Sequence, residues 1–263
     1  MSSLQYTLAD SSTMLRRNLR HMLRYPGLTL LLVGMPIVFL LLFVYVFGGT
    51  LGSGLGGASV GRAAYLDYLA PGILLVTIAA VANGTAISVA MDMTSGIIAR
   101  FRTMAIARAS VLTGHVVGAV VQTLIGVAVV LGVALAIGFR PNATPLEWLA
   151  LLGVVAMVGF ALTWLCVALG LLAKTVESAS NLPMPLTFLP FLGSGFVPVA
   201  SMPVGLRWFA RYQPFTPITE TMRGLLTGTG IGTSALVAVV WCAGIALLSY
   251  LWAKRLYARD PVR

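Results

Sequence analysis

Catalysis needs ionisable or nucleophilic side chains brought together, and this sequence contains few of them. Seven acids, two histidines and two cysteines are spread over 263 residues. Both histidines, His21 and His115, fall at the edges of apolar runs, and neither Cys166 nor Cys242 has a histidine near it in sequence. No zinc-ligand spacing, HExxH pair or serine elbow occurs. The cysteines lie inside apolar runs and read as buried thiols, so neither a disulfide nor a metal site is expected. Lys174-Thr175 matches the end of a Walker A loop, but Ala173 stands where the glycine must be and a long apolar run precedes it. The expectation is a chain with no catalytic residue, no metal and no cofactor of its own.

Polar chemistry concentrates in one stretch, residues 92–113. It holds Asp92, Gly96, Arg100, Arg102 and Arg108, with Ile97, Ile98, Phe101, Met104 and Ile106 between them. Gly96 can bend a helix arriving from the N-terminal side. The spacing predicts a short helix lying at a membrane surface, one face apolar and one cationic. Residues 12–25 repeat the theme: Leu15, Leu19, Met22 and Leu23 share a side, while Arg16, Arg17, Arg20 and Arg24 spread over the rest. A third polar stretch, 200–230, interleaves arginines with aromatics. Within it Glu220 and Arg223 stand one turn apart, spaced to pair.

The elements between these stretches are too apolar for a soluble domain. Apolar residues make up 59% of the chain and the mean hydropathy is +0.96, which leaves too few polar residues to cover a surface. The formal charge of +10 does not point to nucleic acid, because the basic residues sit at the ends of apolar runs. There they act as anchors to headgroups and as topology signals. The first run begins near Leu28 and is too long for the core of a cleavable signal peptide.

At about 20 residues per crossing, the runs give an all-α integral membrane protein with six spans: 28–47, 68–91, 114–137, 148–172, 182–199 and 234–250. A glycine-rich loop, 48–64, follows the first. Pro36 bends that first span, and Gly114 and Gly118 give the third a small-residue face. The fifth run holds Pro183, Pro185, Pro190 and Pro198 with Gly193 and Gly195, which predicts a broken or re-entrant helix. With both termini inside, twelve basic residues fall on inner segments and five on outer ones. Stretch 92–113 is then cytoplasmic, and 200–230 faces out. No ionisable residue lies mid-span, as ion-coupled transport requires, and no filter-like stretch marks a channel. What remains is a membrane scaffold driven from outside, with a surface helix between spans two and three to receive the drive.

The run Gly96-Ile-Ile-Ala-Arg100-Phe-Arg102-Thr-Met-Ala-Ile-Ala-Arg108 and the motif Gln213-Pro214-Phe215-Thr216-Pro217 with Glu220 and Arg223 resemble the type-2 ABC exporter permeases. The likeness is sharpest to antibiotic-resistance permeases of the daunorubicin-export kind from actinobacteria, and it extends over nearly the whole chain as one permease domain, 1–263. It implies that 94–108 is a coupling helix docking on a separate ATPase subunit, through Gly96, Arg100, Phe101, Arg102 and Arg108. Residues 12–25 would be an interface helix presenting Arg16, Arg17, Arg20 and Arg24. Pro214, Phe215, Pro217, Glu220 and Arg223 would belong to an external, re-entrant segment before the last span. The implied assembly is two permease copies, as a homodimer, with two ATPase subunits that bind the ATP and Mg. It would sit in a bacterial cytoplasmic membrane and export a hydrophobic small molecule such as a drug, antibiotic or lipid-like compound. A permease for lipid or lipid-linked glycan, or a non-transporting scaffold subunit, is the alternative. Two positions depart from the family pattern: Ala99 replaces an acid and Ala105 a proline. These make the surface more basic and let the helix run on, which bears on which ATPase is accepted.

Overall fold

A computed structural model describes residues 26–50, 61–94 and 108–259 of the chain. The expected interface helix 12–25, and Gly96, Arg100, Phe101 and Arg102 of the expected coupling helix, lie outside the described residues, as does the middle of the glycine-rich loop. The described part is helical wherever it is regular. In order come α1 (Pro26–Leu42), prolonged by a π-helical turn over Phe43–Phe47, then α2 (Arg62–Thr94), α3 (Arg108–Ala136) and α4 (Pro145–Leu172). Two short helices follow, α5 (Val176–Asn181) and α6 (Met184–Phe188), with 3-10 turns at Leu189–Leu192 and Val199–Ser201. The chain ends with α7 (Val204–Tyr212), α8 (Phe215–Thr227) and α9 (Ser234–Arg259).

Local chemistry sets the helix ends. At the start of α4, the Thr144 hydroxyl accepts from the Glu147 amide while the Glu147 carboxylate accepts from the Thr144 amide at 2.6 Å. Pro145 fills the first helical position, where no amide hydrogen is needed. α8 stops because Gly228 adopts the left-handed conformation, φ +70°, and returns its amide to the Gly224 carbonyl.

Five helices are long and apolar enough to cross a bilayer: Leu32–Thr50, Arg62–Thr94, Leu112–Ala136, Pro145–Leu172 and Ser234–Tyr257. The expected cores of these spans are present, with helices running further than their apolar runs. α2 starts at Arg62 and ends at Thr94, so its 33 residues reach about 50 Å, longer than the apolar slab of a membrane. The last helix continues past the expected end at Tyr250 and carries Lys254 and Arg255 on its exposed side. The expected loop 48–64 is shortened at both ends, since Gly48–Thr50 and Arg62–Ala64 are helical.

The fifth apolar run differs from the others, as its prolines predict. No piece of 176–201 approaches spanning length. Pro183 and Pro190 remove backbone donors, and the chain turns through Gly193–Pro198.

α2 is the axis of the bundle. In its most apolar window 78% of residues are buried, against 22% for α1 and 17% for α9. α2 packs mainly on α4 and α3, and α9 packs on α4. In lipid, apolar burial alone does not hold helices together, because the tails are equally apolar; close backbone approach and interhelical hydrogen bonds do. Gly170 of α4 provides such an approach: a Cβ there would lie 2.6 Å from the Ala86 carbonyl oxygen of α2. The outward faces remain apolar, with Leu236, Val240, Leu247 and Leu248 of α9 each at least 60% exposed. A face of this kind belongs in hydrocarbon or against another membrane subunit.

Candidate functional site: polar ties at the two ends of the bundle

The helices of the bundle alternate in direction, so α2 and α4 end where α3 begins, at the same end as the C-terminus of α9. A separate apolar cluster joins them there: Val89 of α2, Leu112 and Val116 of α3, Trp164, Val167, Ala168 and Leu171 of α4, Ala253 and Tyr257 of α9. Beside it His115 Nε2 lies 3.1 Å from Asp92 Oδ2. The two side chains are 7% and 12% exposed, so the pair is screened from solvent and joins the last turns of α2 to the first turns of α3. These are the helices that enter and leave residues 95–107. The sequence puts His115 at the edge of an apolar run, where a headgroup contact is the expectation; the side chain is instead buried against a carboxylate. No local pattern announces this, because the partners are 23 residues apart.

At the opposite end the broken segment is fastened by backbone and side-chain contacts. Gly72 of α2 touches Gly195: a Cβ on Gly72 would lie 2.6 Å from the Gly195 carbonyl oxygen. Phe191 stacks on Phe196 at 4.2 Å between centroids, and Phe43 of the π turn approaches Phe196 at 5.0 Å. Phe39 of α1 meets Phe191 edge-on. Gln213 donates its side-chain amide to the Leu189 carbonyl at 3.3 Å, and the Ser194 amide donates to the Thr216 hydroxyl.

Arg223 of α8 locks this assembly. Its guanidinium donates to the Ser194 carbonyl at 2.6 Å and to the Tyr68 carbonyl at 3.1 Å. Its Cζ lies 3.9 Å from the centre of the Tyr68 ring. Two carbonyls and an aromatic face thus replace the water that a buried cation loses. The Nε of Arg223 and the Oγ of Ser194 are buried without a hydrogen-bond partner among the described residues. The expected Glu220–Arg223 pair does not form: Glu220 accepts from Ser234 Oγ at 2.9 Å, on the start of α9. The arginine is drawn inward because the Ser194 and Tyr68 carbonyls lie there, whereas Glu220 stays exposed.

The expected functional residues are therefore distributed as follows. Pro214 precedes α8, and Phe215, Pro217 and Arg223 face its packed side, Phe215 being 2% exposed. Arg108 is the first residue of α3. The sequence missed His115, Tyr68 and Ser194, whose roles come only from what they touch across the bundle. α7 carries exposed Trp208 and Tyr212, whose rings lie 5.4 Å apart. Arg207 of the same helix bonds the Met202 carbonyl at 2.9 Å. Aromatic and arginine side chains of this kind suit a membrane–water boundary.

Long helices with exposed apolar faces, a proline-broken segment and the short buried helix α8 define a multi-pass helical membrane protein. The model of the ABC-2 type transporter family matches residues 10–227, and the chain belongs to that family. It is similar to a daunorubicin resistance ABC transporter permease protein, DrrB1, of Streptomyces coeruleorubidus, at 28% identity over 86% of this chain and 78% of that protein. It is also similar to a probable doxorubicin resistance ABC transporter permease protein, DrrC, of Mycobacterium tuberculosis. That match is 24% identical over 66% of this chain and 64% of the relative. An ABC transporter G family member 20 of Dictyostelium discoideum is 27% identical over 71% of this chain, but only 25% of that longer protein is covered.

Proposed function

We propose that the chain is the membrane-spanning subunit of an ATP-driven exporter that moves a hydrophobic compound out of the cytoplasm. The family match over residues 10–227 carries the reading, and the drug-resistance permeases among its relatives support the cargo class. In this reading ATP and Mg are bound by two copies of a separate ATPase, and two copies of this chain enclose the path. The end holding Asp92 and His115 faces the cytoplasm, consistent with the excess of basic residues on that side. The broken segment 182–199 makes a sixth, bent crossing, tolerated in lipid because Gln213 and Arg223 bond its Leu189 and Ser194 carbonyls.

Closure of the ATPases pushes on 94–108 and on the N-terminal basic helix. The push shifts a two-state packing of the spans, and the Arg223-pinned segment forms the outer closure of the path. Arg100 and Arg102 are the charges that meet the ATPase. In the double variant Arg100→Glu with Arg102→Glu, the ATPase is expected to fall away on gentle detergent extraction, or to hydrolyse ATP without transport. Normal ATP-dependent efflux in that variant would sink the coupling role.

A further inference from the structure

We propose that α7 docks on the headgroups of anionic phospholipids at the end of the bundle opposite Asp92 and His115, with Arg207 and Arg211 on lipid phosphates and Val204, Trp208 and Tyr212 in the boundary beneath. The inference needs only a chain that crosses a membrane; neither an ATPase nor a cargo enters it. α7 has little protein around it. Only Ala210 of its nine residues is buried, and the helix packs chiefly on the turn Val199–Ser201 and on α8. Isolated helices below about 12–15 residues are marginal in water, so a nine-residue helix with one buried side chain needs a second surface. That surface must cover the face the bundle leaves open, where Val204 and Trp208 are 81% and 68% exposed.

The order of side chains says what that surface is. At 3.6 residues per turn Val204, Trp208 and Tyr212 form one row, Arg207 and Arg211 the row beside it, and Ala210 faces the bundle from across the axis. Rings at headgroup depth with guanidinium groups beside them suit a helix lying in a membrane boundary. Charge selects the headgroup. Arg207 and Arg211 are the only charged residues between Ser178 and Thr219. Arg207 donates Nε and one terminal nitrogen to the Met202 carbonyl, at 3.2 and 2.9 Å, which leaves its other terminal nitrogen for a partner. Arg211 is exposed, with no hydrogen-bond or ion-pair partner among the described residues. Glu220, the nearest acid along the chain, is taken by Ser234. A second copy meeting α7 with α7 would set arginine against arginine, whereas lipid phosphate supplies the missing charge in a geometry that a guanidinium forks onto.

The test uses the full chain with Cys166→Ala, Cys242→Ala and Gly205→Cys. Gly205 falls on the apolar side of α7, between Tyr212 and Phe209 around the axis, and a Cβ there meets nothing within 4 Å. An NBD fluorophore on the new cysteine is followed in vesicles of phosphatidylcholine alone and of equal parts phosphatidylcholine and phosphatidylglycerol, each carrying nitroxide on the upper acyl chain. Both leaflets are alike, so the orientation of the protein in the vesicle is immaterial. Fluorescence lifetimes divide the reporter into quenched, docked molecules and unquenched ones. The docked-to-undocked ratio is expected to rise at least about fivefold with phosphatidylglycerol, the effect of one arginine at an anionic surface, and to fall back in high salt. Arg211→Gln, which breaks no contact with the described residues, is expected to lose about fivefold of that gain, and Arg211→Lys to keep most of it. Equal ratios in the two vesicles, or an Arg211→Gln variant as responsive as its parent, overturn the proposal. So does a reporter open to water in both vesicles. A reporter shielded from water yet unquenched overturns it too, since a protein, a second copy included, then covers the helix.

Discussion

Gly170→Ala is a one-carbon change whose effect can be worked from the coordinates. The new Cβ would stand 2.6 Å from the Ala86 carbonyl oxygen and 3.1 Å from its Cα, against backbone that has no rotamer to escape into. α4 and α2 must separate by several tenths of an ångström along their shared contact. Overpacking of this kind costs about 1–3 kcal/mol. Against it stands the gain of replacing glycine by alanine inside a helix, about 0.5–1 kcal/mol. Gly153 offers the internal reference, since it lies on the same helix and a Cβ there meets nothing within 4 Å. Gly153→Ala collects the helix gain alone. The difference between the two variants cancels the gain and isolates the contact, about 1–3 kcal/mol. At about 2–4 °C per kcal/mol for a chain of this size, Gly170→Ala should melt roughly 2–12 °C below Gly153→Ala. Thermal unfolding in one detergent, followed by gel filtration of the surviving species, reads this directly. If Gly170→Ala melts at or above Gly153→Ala, the α2–α4 backbone contact does not hold the bundle as argued.

Arg223→Met removes the donor shared by the Ser194 and Tyr68 carbonyls, a charge-assisted bond worth about 1.5–3 kcal/mol in itself. Faster proteolysis within the exposed turn near Ser201 is the expected sign. Arg223→Lys should rescue only part, because an ammonium can serve the two carbonyls that one guanidinium nitrogen bonds but does not place a planar cation over the Tyr68 ring; full protection in the lysine variant would count against a role for the ring contact. Thr144→Ala removes the hydroxyl that accepts from the Glu147 amide and donates to its carboxylate, leaving only the bond from the backbone amide of residue 144, whereas Glu147→Gln keeps an acceptor and only weakens its half. The melting temperature should therefore fall in the order parent, Glu147→Gln, Thr144→Ala, and an inverted order would mean that the cap is not holding the helix end.

Much of this architecture is written locally in the chain. Hydropathy alone determines where the long helices lie, because a bilayer admits backbone only with its hydrogen bonds satisfied within the segment. Proline placement determines that the run at 182–199 breaks, and Thr144-Pro145 with Glu147 determines where α4 begins. Family likeness is also legible in the chain, since it rests on motifs contiguous in sequence. Tertiary structure decided what the rare polar residues do. Whether Glu220 pairs with Arg223, or His115 with a headgroup, depends on the rotation and depth of one helix against another. Arg223 finds its carbonyl 155 residues away on α2, and His115 its carboxylate 23 residues away on the neighbouring helix. The same holds for glycine. The small-residue pair at Gly114 and Gly118 is visible in the sequence, whereas nothing local marks Gly72 and Gly170, where the backbone of one element meets that of another. An apolar helix presents many small residues, and packing alone selects the one that meets a neighbour's carbonyl.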